Sequence, residues 1–102
     1  MAAKDRRLEL DAKFKELTSH VYYQPPASVK MKYPAIRYEV SRIDLTSADN
    51  NPYLLDRAYQ VTVIDEDPDS EIVEAISKMP MCRFNRVYTA DNLNHFVFII
   101  YT

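Results

Sequence analysis

Carboxylates are the densest chemistry in this sequence: in VIDEDPDSEI, Val63 to Ile72, five acids fall within the seven residues from Asp65 to Glu71. Asp65, Asp67 and Asp69 have the alternate spacing of oxygen ligands in a helix-loop-helix cation site. The rest of that loop does not fit. Ser70 stands where a sharp turn needs glycine, Ile76 stands where a bidentate glutamate closes the shell, and Pro68 lies inside. Ordinary local structure accounts for the same residues. A strand ends at Ile64 or Asp65, Asp67 caps a helix, Pro68 takes its first position, and Asp69 and Glu71 face the positive end of its dipole. Asp65, Glu66, Asp67 and Asp69 are thus expected to form an acidic surface patch, with no metal site.

A nucleophile with a base is the other chemistry to test, since the chain holds one cysteine, Cys82, and two histidines, His20 and His95. A hairpin turn flanked by Ala90 and Leu93 sets His95 opposite Tyr88 and Cys82 opposite Tyr101. The two then lie about 20 Å apart at ~3.3 Å per residue of strand, far beyond hydrogen-bond reach of about 3 Å. Cys82 reads as a small buried hydrophobe, His95 as a residue near a turn, and His20 as a partner for the carbonyls ending the first helix. The sequence contains no glycine, which excludes the phosphate-cradling and dinucleotide-binding turns and the usual nucleophile elbow. No catalytic residue, metal ligand or cofactor is nominated, and the chain is expected not to be an enzyme.

The elements that carry these residues follow from periodicity. Leu10, Phe14, Leu17 and Val21 recur at helical spacing between charged residues, predicting an amphipathic helix from Lys4 to about Thr18. YYQPPASVKMKYP has prolines at 25, 26 and 34 and reads as an extended crossing segment. Ile36, Tyr38 and Val40 alternate with Arg37, Glu39 and Ser41 in a half-buried strand; after the turn residues TSADNNP, Tyr59, Val61 and Val63 alternate in a second. Ile72, Val73, Ile76 and Met79 line one side of a helix ended by Pro80. CRFNRVYTADNLNHFVFIIYT then gives two strands joined through Asp91 and Asn92. The expectation for residues 1–102 is one α+β domain, a two-layer sandwich of order α-β-β-α-β-β, with two helices on one face of a four-stranded, largely antiparallel sheet.

Two layers leave one sheet face uncovered, yet the last strand offers Val97, Ile99 and Tyr101 on one side and Phe96, Phe98 and Ile100 on the other. One set therefore calls for an external partner, and a second copy is the economical choice. The 47% apolar and 27% charged composition is that of a globular domain, and the eight tyrosines and four phenylalanines are contact-forming side chains. Charge is bipolar, about +4 over residues 1–37, −8 over 38–75 and +2 over 76–102. That arrangement suits head-to-tail self-association and argues against a nucleic-acid reader. The expected contact residues are Arg37, Glu39 and Ser41 on the polar strand face, with Arg83, Arg86, Asp91 and Asn92 on the last hairpin. The N-terminus lacks the apolar core of a signal peptide and no run is long enough to span a membrane.

The ordered set YYQPPASVKMKYPAIRYEV, AYQVTVIDEDPDSEIVEAI and CRFNRVYTADNLNHFVFIIYT resembles the tail terminator, or tail completion, proteins of long-tailed bacteriophages and prophages, small head–tail joining proteins sometimes labelled minor capsid. The likeness runs from about Leu8 to Tyr101. It implies a virion structural protein, made in the bacterial host cytoplasm and located at the neck, that forms a homohexameric ring on the tail tube. The ring would end tube elongation and dock to the head–tail connector, with DNA passing through its lumen without specific binding. The alternatives are another neck component, such as a head-completion or stopper protein, and a monomeric adaptor outside phages.

Overall fold

The helical spacing of Leu10, Phe14 and Leu17 builds α1, Ala3–Leu17, with Leu10 and Phe14 buried and Leu17 packed against the same core. The computed structural model describes residues 3–46 and 54–102. After α1 come β1 (Val21–Tyr23), β2 (Ala35–Thr46), β3 (Leu54–Asp65), α2 (Glu71–Ser77), β4 (Cys82–Ala90) and β5 (Leu93–Tyr101). The strands form one sheet in the order β1-β2-β3-β5-β4. β1 runs parallel to β2, and the other neighbouring pairs are antiparallel.

The fold is α+β as expected, but its sheet is mixed and has five strands where four were expected. The added strand, β1, lies at the start of the segment read as a crossing. Pro25 and Pro26 stop it after three residues, too few to show alternation. It nonetheless pairs, Val21 opposite Ile36 and Tyr23 opposite Tyr38. Gln24 extends its hold on β2: its amide donates to Tyr38 O at 2.9 Å, and its Oε1 accepts from Val40 N at 2.8 Å. The turn expected between β2 and β3 lies outside the described residues.

Alternation decides what the helices cover. Ile36 and Tyr38 of β2, Tyr59, Val61 and Val63 of β3, and Phe98 and Ile100 of β5 form one buried cluster with Leu10 and Phe14 of α1 and Ile72 and Ile76 of α2. Both helices therefore pack on the same sheet face. β5, apolar on both faces, lies inside the sheet between β3 and β4, as such a pattern requires. At the far side β4 is an edge strand.

Tyr38 fastens α1 to this sheet. Its ring meets Phe14 edge-on at 5.3 Å, Tyr23 at 4.8 Å and Tyr59 at 6.0 Å between centroids. Its hydroxyl donates to Asp11 Oδ2 and accepts from Arg7 Nη1 at 3.1 Å, while the Arg7 guanidinium lies 4.2 Å from the Tyr23 ring centre. Burial, reinforced by the bond to Asp11 and opposed by Arg7, holds the Tyr38 phenol above its ordinary range. Burial alone pushes the Asp11 carboxyl up, but hydrogen bonds from Lys15 and Tyr38 and the charges of Lys15 and Arg7 outweigh it, so Asp11 ionises below the usual 3.8.

A carboxylate whose folded pKa is depressed contributes stability that is full above its unfolded value and is lost as pH falls through the folded one. Asp11→Asn is expected to lower stability by about 1 kcal/mol near neutrality, read by urea denaturation. The gap between wild type and variant should close as pH falls below about 4; a gap of constant size down to about pH 2 would contradict this role for Asp11.

Candidate interaction surface

Strand register shows which side chains occupy the face opposite the helices. One row across the sheet reads Tyr22, Arg37, Thr62, Val97, Arg86, and the next reads Glu39, Gln60, Ile99, Arg83. A third pairs Ile64, His95 and Tyr88. Of the residues expected at a contact, Arg37, Glu39, Arg83 and Arg86 thus share this face. Arg37 Nη2 and Glu39 Oε2 are 3.9 Å apart, a loose and partly exposed pair.

Two β-bulges set this arrangement. In β4 the register shifts between Phe84 and Arg86, leaving Asn85 as the extra residue. Simple alternation puts Arg83 and Arg86 on opposite faces, since they are three residues apart. The bulge brings them to the same face, opposite Ile99 and Val97, and turns Cys82 and Phe84 toward the helices opposite Ile100 and Phe98. Cys82 therefore faces Ile100, not Tyr101 as an unbroken hairpin predicts. In β2 the shift falls between Val40 and Arg42, so Arg42 pairs with Ala58. Ser41, expected on the polar face, is the bulge residue, and its hydroxyl donates to Ala58 O at 3.2 Å. It is occupied within its own sheet.

The open face is not a bare apolar sheet. Val97 is 1% exposed, and Ala35, Ala58, Thr62 and Ile64 on the same side are also buried, which corrects the expectation that this side of β5 needs an external cover. Long side chains in the flanking positions lie down on the sheet, as the burial of Arg37 Nε shows. Near β1 the connection to β2 returns on this side, its Lys32 N donating to the Tyr22 hydroxyl at 3.1 Å. The uncovered surface is instead the β4 edge. Every residue from Arg83 to Thr89 is exposed, with Phe84 at 57% and Val87 at 52%. Phe84 and Val87 are on the helix face, so the helix layer, against which Cys82 at the start of this strand packs, leaves these two side chains uncovered. Sequence reading missed them because an edge strand and a central one share the same residue types.

The β4–β5 turn is made as expected by Asp91 and Asn92, both at positive φ, 54° and 65°, the hairpin geometry their side chains tolerate. They are exposed at the sheet end, away from the Arg83 and Arg86 rows. The acidic turn lies at this end too: Asp65 pairs with Asn94. Asp67 does not cap α2 as expected. Asp65 Oδ1 accepts from Asp67 N at 3.0 Å and Asp67 Oδ1 from Asp69 N at 2.9 Å, so these side chains fold the turn on itself. Helix α2 starts later, at Glu71, behind Ser70, whose side chain makes no capping bond. Asn94 Nδ2 clamps the turn by donating to Asp65 O at 3.3 Å and Glu66 O at 3.1 Å.

The candidate nucleophile and bases do not come together among the described residues. Cys82 and His95 sit on opposite sheet faces, and burial pushes the Cys82 thiol up, away from the reactive thiolate. His95 stacks on Tyr88 with ring centres 4.7 Å apart. His20 meets no helix-end carbonyl; its Nδ1 lies 3.2 Å from Pro34 O, because Thr18 and His20 both turn toward the start of β2. A cavity of about 440 Å³ opens between α1 and the α2–β4 connection, lined by Leu10, Met79, Met81 and Ile100 with Arg6 and Lys13. It contains neither Cys nor His. Among the described residues no group of three or more His, Cys, Asp or Glu is placed to hold a metal ion, and no helix is long and apolar enough to cross a membrane.

Comparison of the chain with protein-family models, with curated proteins and with solved structures finds no match.

Because Asn85 is the inserted residue, deleting it should leave Arg83, Phe84 and Arg86 opposite Ile99, Phe98 and Val97 in an unbroken strand with their faces unchanged. Cys82 should stay on the helix side and react with a thiol reagent no faster than in the wild type, and stability should change by less than about 1 kcal/mol. A Cys82 that becomes reactive in the native state, or a larger loss of stability, would overturn this assignment of the extra residue.

Proposed function

We propose that this chain is a self-assembling virion structural subunit, a tail terminator that forms a ring on the tail tube of a long-tailed phage or prophage. The observation that carries this reading is the exposed β4 edge, with Arg83 and Arg86 on one face and Phe84 and Val87 on the other. Exposed Phe84 and Val87 side by side on that edge add apolar surface of the kind that marks a contact with another protein. The resemblance of the sequence to tail terminators supports the same reading.

In this reading the ring is a homohexamer that stops tube growth and docks to the head–tail connector. Its location is the neck of the virion. Asp65, Glu66, Asp67 and Asp69 face either a neighbouring subunit or the lumen, where like charge would let DNA slide through without adhering.

Light scattering coupled to size exclusion, followed by electron microscopy of purified tail tubes mixed with the protein, tests the assignment. A hexamer-sized species, or a monomer that caps tube ends, is expected. A strict monomer that leaves tube ends bare would overturn it and favour the adaptor alternative.

A further inference from the structure

We propose that the Arg83–Arg86 pair on the β4 edge receives the acidic turn of a second copy of this chain, through Glu66 and Asp69. The proposal rests on the self-assembling reading above and names its contact. Among the described residues neither arginine forms an ion pair, and none of the five acids from Asp65 to Glu71 does. Arg83 and Arg86 are exposed, as are Glu66 and Asp69.

The four acids of the turn have different uses. Asp65 and Asp67 each commit an oxygen to a backbone amide and so shape the turn. The carboxylates of Glu66 and Asp69 have no such bond and project from a segment that Asn94 holds by two carbonyls. Two fixed, unneutralised acids thus face outward, and two unneutralised arginines are aligned on one face of β4, about 7 Å apart at ~3.4 Å per residue.

One chain cannot join the two sets. The Arg86 row crosses β3 at Thr62, three residues before Asp65 and two strands away. That separation is about 14 Å from strand rise and spacing, beyond an ion pair. A copy offering its turn to the next copy's β4 satisfies both in a heterologous contact, which closes into a ring when the rotation allows.

The form of the edge selects this occupant over others. An added strand would need an unbroken ladder along β4, and the Asn85 bulge interrupts it at mid-strand. A compact acidic turn needs no ladder. Single-stranded nucleic acid would use exposed aromatic faces for stacking, but Tyr88 already stacks on His95 and has Arg86 5.4 Å from its ring centre. Glu39 adds a like charge to phosphate on the same face.

The test is sedimentation at about 50 mM and about 0.5 M salt of wild type, Arg83→Glu with Arg86→Glu, Glu66→Lys with Asp69→Lys, and the chain carrying all four. Either pair alone should weaken self-association at least tenfold, equivalent to about 1.4 kcal/mol, and high salt should weaken the wild type. The four-fold variant should recover the wild-type mass, since its reversed turn again meets a complementary β4. Recovery also shows that the single-side losses are not failures to fold. Wild-type mass in either two-residue variant, or no recovery in the combined one, would overturn the contact while leaving a tube-capping ring intact. A wild type monomeric at about 100 µM in low salt would also overturn the contact, with the ring then decided separately on tail tubes. Capture of single-stranded DNA by the wild type, lost in the β4 variant, would assign the arginines to nucleic acid instead.

Discussion

Four elements meet at Tyr38. Its ring is enclosed by Phe14 of α1, Tyr23 of β1 and Tyr59 of β3, and its hydroxyl sits between Asp11 and Arg7. A buried phenol needs partners for its hydroxyl, and here they come from a helix whose attachment is otherwise a narrow apolar stripe. The same contact fixes where the helix layer lies. α1 is drawn over the β1–β3 half of the sheet, and α2, of seven residues, buries only Ile72 and Ile76. The layer therefore covers little of β4 beyond Cys82, and Phe84 and Val87 are left exposed.

What the exposed edge presents is decided by backbone geometry more than by composition. Strand side chains alternate with a period of two, so an inserted residue reverses the faces of all that precede or follow it. Asn85 does this for β4, gathering Arg83 and Arg86 on the open side and sending Cys82 and Phe84 to the helix side. Ser41 does it for β2, giving Arg42 the place that alternation assigns to Ser41. Bulges of this kind also blunt a strand edge as a template for indiscriminate pairing. The β4 edge is thus available to a partner but poorly suited to an arbitrary strand.

Periodicity made much of this fold legible. Leu10, Phe14 and Leu17 located α1, alternation located the β2–β3 pair, and Asp91 and Asn92 located the last turn. What escaped had no periodic signature. β1 is too short for alternation, and the turn that Asp67 joins instead of capping α2 is held by Asn94, 28 residues beyond Glu66 in sequence. For the interaction surface the residue types Arg37, Glu39, Arg83 and Arg86 were legible and their common face was not. Arg83 and Arg86 are spaced to diverge on a regular strand, and nothing in CRFNRVYTA marks Asn85 as the inserted residue.

The absence of glycine bears on how such a surface can bind. Left-handed backbone, which glycine adopts most easily, falls here to Gln24, Met81, Asp91 and Asn92, each of which carries a Cβ and has fewer unfolded conformations to lose. Gln24 is tied to β2 through both its amide and its side chain. Asp91 and Asn92 close a tight hairpin beside the clamped acidic turn. The two parts of the surface, a strand inside a paired hairpin and a turn held by Asp65, Asp67 and Asn94, are accordingly ordered before any partner arrives. Association then loses rigid-body freedom and the rotamers of a few long side chains, with little backbone left to order. Under that condition a handful of charge pairs would be enough to hold copies together in the contact proposed above, and a closed ring would give every subunit the same two contacts.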